Sequence, residues 1–233
     1  MKILYIFPHP DDECFGPAPA IARQIRLGHE VHLLTLTRGG ATKQRHRLGL
    51  SVEEMGEVRH AEMLAVRETL GLQGMRVLDL PDSGLAEMDP REIEAVVEAE
   101  ILRLAPEVVV TYAVHGVSGF PDHLVTHAVV KRVFCELRST HGTPRRLALF
   151  TLAPREEPDS GFQLKTSSPE AIDAAETFSD SDMEIARRAL ACYVTYQPVI
   201  EEARPLERIG DAVHFELFQE SFDPWLGSIV ESL

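Results

Sequence analysis

From Lys2 to about residue 152, short apolar β-prone runs alternate with stretches of helical spacing, and this alternation constrains the chain more than any other feature of its 233 residues. The runs are Ile3–Phe7, Val31–Thr37, Val77–Leu80, Val108–Tyr112 and Leu147–Leu152. Between them, helices are expected over about Ala18–Leu27, Val52–Leu70, Arg91–Leu104 and Asp122–Leu137, with Gly28 and Gly71 as stops and Asp89-Pro90 as a start. Strands that are apolar throughout suit a sheet covered on both faces. The expected fold is therefore α/β: a Rossmann-like, doubly wound, mostly parallel sheet with helices on both faces.

The pattern loosens beyond 152. A polar Pro/Gly/Ser-containing stretch covers 154–168, a helix is expected over Asp182–Tyr193 with Ser181 as its N-cap, and Ala212–Phe218 alternates like a strand. Residues 1–233 read as one domain, with 1–152 the core and 153–233 a C-terminal β/α elaboration. A long basic loop, 38–51, holds Lys43, Arg45, His46 and Arg47 and reads as a lid or as a solvated loop.

Charge and cysteines limit the function. The net charge of −14 argues against a nonspecific grip on nucleic acid or anionic membrane. No apolar stretch approaches the ~20 residues of a membrane span. Cys14, Cys135 and Cys192 form neither a disulfide framework nor a zinc-finger spacing, which suits a reducing, cytoplasmic setting. The N-terminus has no signal-peptide plan.

Two motifs carry chemistry. Pro8-His9-Pro10-Asp11-Asp12-Glu13 follows the first strand, where ligands bind in open α/β sheets. Pro121-Asp122-His123, with His127 four residues on, opens the helix after the fourth strand. Alone, the first reads equally as an acidic turn and the second as surface histidines on an amphipathic helix. Strands one and four are neighbours in the common orders 3-2-1-4-5 and 3-2-1-4-5-6, so His9, Asp12 and His123 can meet at the switch point. Two imidazoles, one carboxylate and an open position are the ligand set of a catalytic zinc, and ferrous iron accepts the same set. If Asp12 binds the metal, Asp11 can point into the cavity as the proton acceptor.

With these motifs the chain resembles the PIG-L/LmbE family of zinc-dependent de-N-acetylases. Arg59 with Glu62, and Gly71, are supporting matches, and the resemblance covers roughly the first 150 residues with a weaker echo around Ala186–Cys192. It implies His9, Asp12 and His123 as ligands to one divalent metal, Zn2+ or alternatively Fe2+, and Asp11 as general base. It implies hydrolysis of an N-acetyl group on a small-molecule N-acetylated glycoside or thiol-glycoside. Where the family commonly has His-Pro-Asp-His, this chain has Phe120 at the first position, which cannot donate a hydrogen bond. Three accounts stay open: His115 or His127 takes over the oxyanion role, the metal suffices at a loss of rate, or the protein binds sugar or nucleotide with little or no catalysis. A metal amidase or esterase acting on another small molecule is a further alternative. Arg59 reads as a grip on substrate, Asp82 as a contact to sugar hydroxyls or a plain turn residue, and Asp122 as the support of a ligand histidine or a helix cap. Phe120 and Val117 suit substrate contact or a subunit interface, which leaves a homo-oligomer open.

Overall fold

The computed structural model describes residues 1–155 and 163–233; residues 156–162 of the polar 154–168 stretch lie outside them. Five parallel strands form the core of the sheet: β1 (Lys2–Phe7), β2 (Glu30–Thr37), β3 (Gly74–Leu80), β4 (Val108–Tyr112) and β5 (Arg146–Thr151). Two more, β6 (Ala174–Thr177) and β7 (Ala212–Leu217), join antiparallel, giving the order β3-β2-β1-β4-β5-β7-β6.

Side chains alternate across each strand, so the central strands feed two cores. Ile3, Tyr5 and Phe7 of β1 pack on one face with Val108, Val110 and Tyr112 of β4. Leu4 and Ile6 pack on the other face with Val109. The first face is covered by α1 (Ala18–Arg26), α3 (Val52–Leu70) and α6 (Asp180–Ala191), through residues such as Ile21, Met63, Val66 and Ala189. The second is covered by α4 (Pro90–Leu104) and α5 (Pro121–His141), through Ile93, Val97, Val130 and Phe134. Two short helices complete the set: α2 (Gln44–Leu48), inside the basic loop, and α7 (Gln197–Ala203).

Local chemistry fixes the helix ends. Ser51 and Glu54 form a reciprocal capping box on α3, and Gly71 closes that helix in the left-handed region. The N-cap of α6 is Ser179 rather than the expected Ser181, because Ser179 and Asp182 form a second capping box. That box starts α6 at Asp180, and the helix ends at Ala191, short of Tyr193. Helix α5 is longer than expected, and its N-cap position is occupied by Phe120, whose side chain caps nothing.

The sheet order reverses between β1 and β4, whose register pairs Ile3 with Val108 and Tyr5 with Val110. Their carboxyl ends therefore open side by side, and both sequence motifs begin there.

Candidate active site

Pro8 accepts from Thr37 N (2.9 Å), so the chain leaving β1 stays tied to the end of β2 as it presents His9. The next turn is strained: Asp11 has φ +85°, uncommon for a residue with a side chain. Several contacts hold it. Cys14 N and Phe15 N both donate to Asp11 O, and the Arg59 guanidinium of α3 donates to Pro10 O (2.8 Å) and Asp11 Oδ2 (2.5 Å). Arg59 is 2% exposed, donates also to Gly39 O (3.3 Å), and lies 4.4 Å from the ring centre of Tyr196. The structure thus places Arg59 inside the protein, with its donors turned to the Asp11 turn.

The loop after β4 delivers the second motif. Gly116 (φ +63°) must be glycine, since a Cβ there would lie 2.8 Å from His123 Cβ. Its carbonyl accepts from His123 Nδ1 (2.9 Å). That bond leaves Nε2 as the free nitrogen, 3.4 Å from Asp12 Oδ1. Tyr112, at the end of β4, stacks on the His123 ring (4.3 Å) and donates its hydroxyl to Asp12 Oδ1 (2.7 Å). His9 N donates to the other oxygen of Asp12 (2.8 Å). His9 Nε2 in turn donates to Asp122 Oδ2 (3.1 Å) and lies 3.4 Å from Asp82 Oδ1. Asp122 also accepts from Ser83 N and Leu85 N, which locks the turn after β3 onto α5. The imidazole that Asp122 supports is therefore His9, not its chain neighbour His123.

One ligand atom each from His9, Asp12 and His123 lie within 4.8 Å of one another, and His9, Asp82 and Asp122 form an overlapping group. The donor set and its electrostatics fit a divalent cation. Burial alone would favour a neutral His9, yet hydrogen bonds to Asp12 and Asp122 and the charges of Asp12 and Asp82 hold its pKa up to about 10. Positive charge is thus stabilised at the point where the carboxylates converge. Burial keeps His123 neutral, the form that can ligate.

The adjacent aspartates are pushed apart. Burial, with Asp12 and Glu13 nearby, raises Asp11 well above the usual carboxylate range despite Arg59. Against the cost of burial, His123, His9 and the Tyr112 hydroxyl hold Asp12 below it. Two carboxylates with diverging pKa values suit one ligand and one proton carrier. Beneath them Glu13 is buried, accepts from Tyr193 OH (2.5 Å), and is pushed up to about 7 by burial.

These residues line one cavity of about 630 Å³, which takes in His9, Asp11, Asp12, Arg59, Asp82, Phe120, Asp122 and His123. Asp82 accepts from Ala41 N (2.7 Å), and Ala41 to Gln44 of the basic loop form part of the wall. The structure does not bring His115 or His127 to this cavity. His115 Nδ1 accepts from Val117 N (3.0 Å) while Nε2 faces Ser167 and Thr151. His127 Nδ1 donates to Tyr112 O (2.9 Å), which turns its ring against the β4 end. Phe120 is 54% exposed, with its ring edge-on to His123. Sequence reasoning missed Tyr112, whose place at a central strand end was a signal, and the contacts of Tyr193 and Tyr196, for which the sequence holds none.

The family model described as PIG-L, GlcNAc-PI de-N-acetylase, matches residues 4–134. A 1D-myo-inositol 2-acetamido-2-deoxy-alpha-D-glucopyranoside deacetylase of Kineococcus radiotolerans is 31% identical over 158 residues, covering 56% of this chain and 44% of that protein. The chain spans about half the length of the curated relatives it matches. Among solved structures, a deacetylase of teicoplanin biosynthesis aligns over 93% of this chain and 97% of its own (TM-score 0.70, 16% identity). GalB, a 4-carboxy-2-hydroxymuconate hydratase of Pseudomonas putida KT2440, aligns over 95% and 97% (TM-score 0.69, 14% identity). At such identities the likeness establishes the fold and not the reaction.

Proposed function

Since the chain belongs to the PIG-L family of GlcNAc-PI de-N-acetylases, we propose that it is a metal-dependent amide hydrolase removing an N-acetyl group from a small N-acetylated glycoside or thiol-glycoside. The observation that carries this reading is the convergence of His9, Asp12 and His123 beside Asp11 at the floor of the cavity. A divalent cation held by those three residues, zinc by preference and ferrous iron as the alternative, supplies a Lewis acid that polarises the acyl carbonyl and acidifies water.

The chain's own groups do the rest. Asp11 accepts the proton of the attacking water and returns it to the departing amine, so that amide and water become carboxylic acid and amine, which exchange a proton to leave as carboxylate and ammonium. Arg59 holds Asp11 at the cavity and keeps its burial from neutralising it outright. Tyr112 and Asp122 fix Asp12 and His9, and the Gly116 carbonyl fixes His123. Asp82, beside His9 in the same cavity, is available to sugar hydroxyls. Phe120 offers no donor to the developing oxyanion, and His115 and His127 are committed elsewhere; the loss of one such donor typically costs about 10²–10³ in turnover, so a slow enzyme is expected. All three cysteines are free thiols, in keeping with a reducing compartment, and among the described residues no helix is long and apolar enough to cross a membrane.

The test is to purify the protein, measure bound metal, and assay acetate release from a panel of N-acetylglucosaminides beside Asp11→Asn. Stoichiometric metal, and activity lost together with it, are expected. A metal-loaded protein inactive on the whole panel would favour a sugar-binding module or a hydrolase of other amides.

A further inference from the structure

The cavity has two unlike linings. Beside the charged groups of the ligand cluster and the side chains of Lys43 and Arg208, the lining takes in Phe15, Phe120, Phe150, Leu152, Leu164 and Val199. None of these six side chains carries a hydrogen-bond donor or acceptor. Their sources are scattered: the turn before α1, the cap of α5, the end of β5 and the segment beyond it, and α7. The Phe150 ring is set in place by close packing, since a Cβ on Gly16 would lie 2.3 Å from its tip. Phe120 is 54% exposed, with its ring edge-on to His123, so it presents apolar surface directly beside the ligand cluster.

The volume of about 630 Å³ lies within the range of sites for drug-sized molecules, about twice its lower end of roughly 300 Å³. A hydroxyl-rich group laid on this wall would give up its bonds to water and find no replacement. An alkyl or aryl group would leave water at a gain. Because wall and floor belong to one cavity, one molecule occupies both.

We propose that the cavity takes an amphipathic substrate, with its acylamino sugar at the carboxylate floor and an alkyl or aryl group against the Phe15–Phe150–Leu164 wall. This rests on the deacylase reading above. The apolar group is carried either by the aglycone or by the acyl chain, and the test separates these sources.

Binding of n-alkyl β-D-glucosides, methyl to octyl, is measured by calorimetry below micellar concentration; these probes have no amide and cannot be turned over. The dissociation constant is expected to fall by up to about fourfold per buried methylene, then level off. Leu164→Asn and Val199→Asn should flatten that slope. In parallel, kcat/KM of the metal-loaded protein is compared for octyl against methyl N-acetylglucosaminide, and for N-octanoyl against N-acetyl methyl glucosaminide. A rise of tenfold or more in the first pair places the apolar group on the aglycone, and in the second pair on the acyl chain. Flat binding and flat kcat/KM in both pairs, with methyl N-acetylglucosaminide still turned over, would overturn the proposal and leave the deacylase reading standing. No turnover of any N-acyl glycoside would overturn that reading, and this proposal with it.

Discussion

Arg59→Met would test whether the buried guanidinium is what keeps Asp11 charged and in place. Arg59 is 2% exposed and donates to Asp11 Oδ2, Pro10 O and Gly39 O. Methionine fills much of the same volume but leaves a buried carboxylate without its partner, and breaking a buried pair in this way costs about 3–5 kcal/mol. Asp11 can escape part of that cost by taking up a proton, because burial already raises its pKa. In the variant its folded pKa rises further above the unfolded value of about 3.9. The folded state then binds the extra proton, so stability falls as pH rises from about 4 through the raised pKa. Because wild-type Asp11 itself titrates at about 7, the two proteins separate only above that pH: the penalty should be level from pH 5 to 7 and grow by about 1.4 kcal/mol per pH unit beyond, approaching an added ~3 kcal/mol near pH 9. Urea unfolding at several pH values, with chelator present so that no cation compensates, measures it. Adding Asp11→Asn removes the orphaned charge, and the double-mutant cycle should show a coupling that grows above pH 7 to about 2–3 kcal/mol at pH 9. Additive effects within ~0.5 kcal/mol, with no pH trend, would refute the reasoning, since Asp11 would then not depend on the guanidinium.

Tyr112→Phe keeps the ring stacked on His123 but removes the hydroxyl bonded to Asp12; metal affinity, measured by competition with a chromophoric chelator, should fall about tenfold. Phe120→His puts a donor at the cavity mouth and should raise, or at least not abolish, acetate release from methyl N-acetylglucosaminide; a sharp loss would mean that the phenyl ring itself contacts the sugar. Asp182 accepts two bonds from Arg26, which with Ser179 hold its pKa down at about 2. Its stabilisation is therefore complete above the unfolded value of about 3.9 and lost as pH falls from there through 2; with Arg26 half exposed, about 1 kcal/mol is expected, read as the gap between wild type and Asp182→Asn in unfolding titrations over that range.

What could be read in the sequence was whatever is repeated or local. The β1–β5 alternation shows because the inner strands β1, β4 and β5 are largely apolar on both faces, edge strand β3 (with exposed Arg76 and Asp79) much less so, and the strand order follows from known topologies once the β-α-β units are seen. The meeting of His9, Asp12 and His123 needed only that order. By contrast, β6 is the tetrapeptide Ala174–Thr177, which is a strand because β7 pairs with it and not through its own preference. Arg59 reads as a grip on substrate, and its tie to Asp11 and Pro10 shows only once the Asp11 turn is folded over it. Tyr193 looks like the tail of a helix, yet it lies beyond Ala191 and its hydroxyl reaches Glu13, 180 residues back. Such contacts cross elements and leave no period in the chain.

The same division explains why the roles suggested for His115 and His127 have no geometry to support them. Both sit near the ligands along the chain, and helical spacing puts His127 on the face of His123. The loop from Ala113 to Phe120 decides otherwise. Val117 is held at φ +57°, costly for a β-branched residue, and two bonds pin it: its N–H to His115 Nδ1 and its carbonyl from Lys165 N. His115 is spent on shaping the loop whose Gly116 carbonyl orients His123. An imidazole occupied as the acceptor for that turn cannot also swing into the cavity as a donor. The loop that turns His123 Nε2 toward Asp12 is therefore the one that holds His115 away from the cavity, and on the proposed reading it supplies no imidazole donor to the carbonyl oxygen of a substrate.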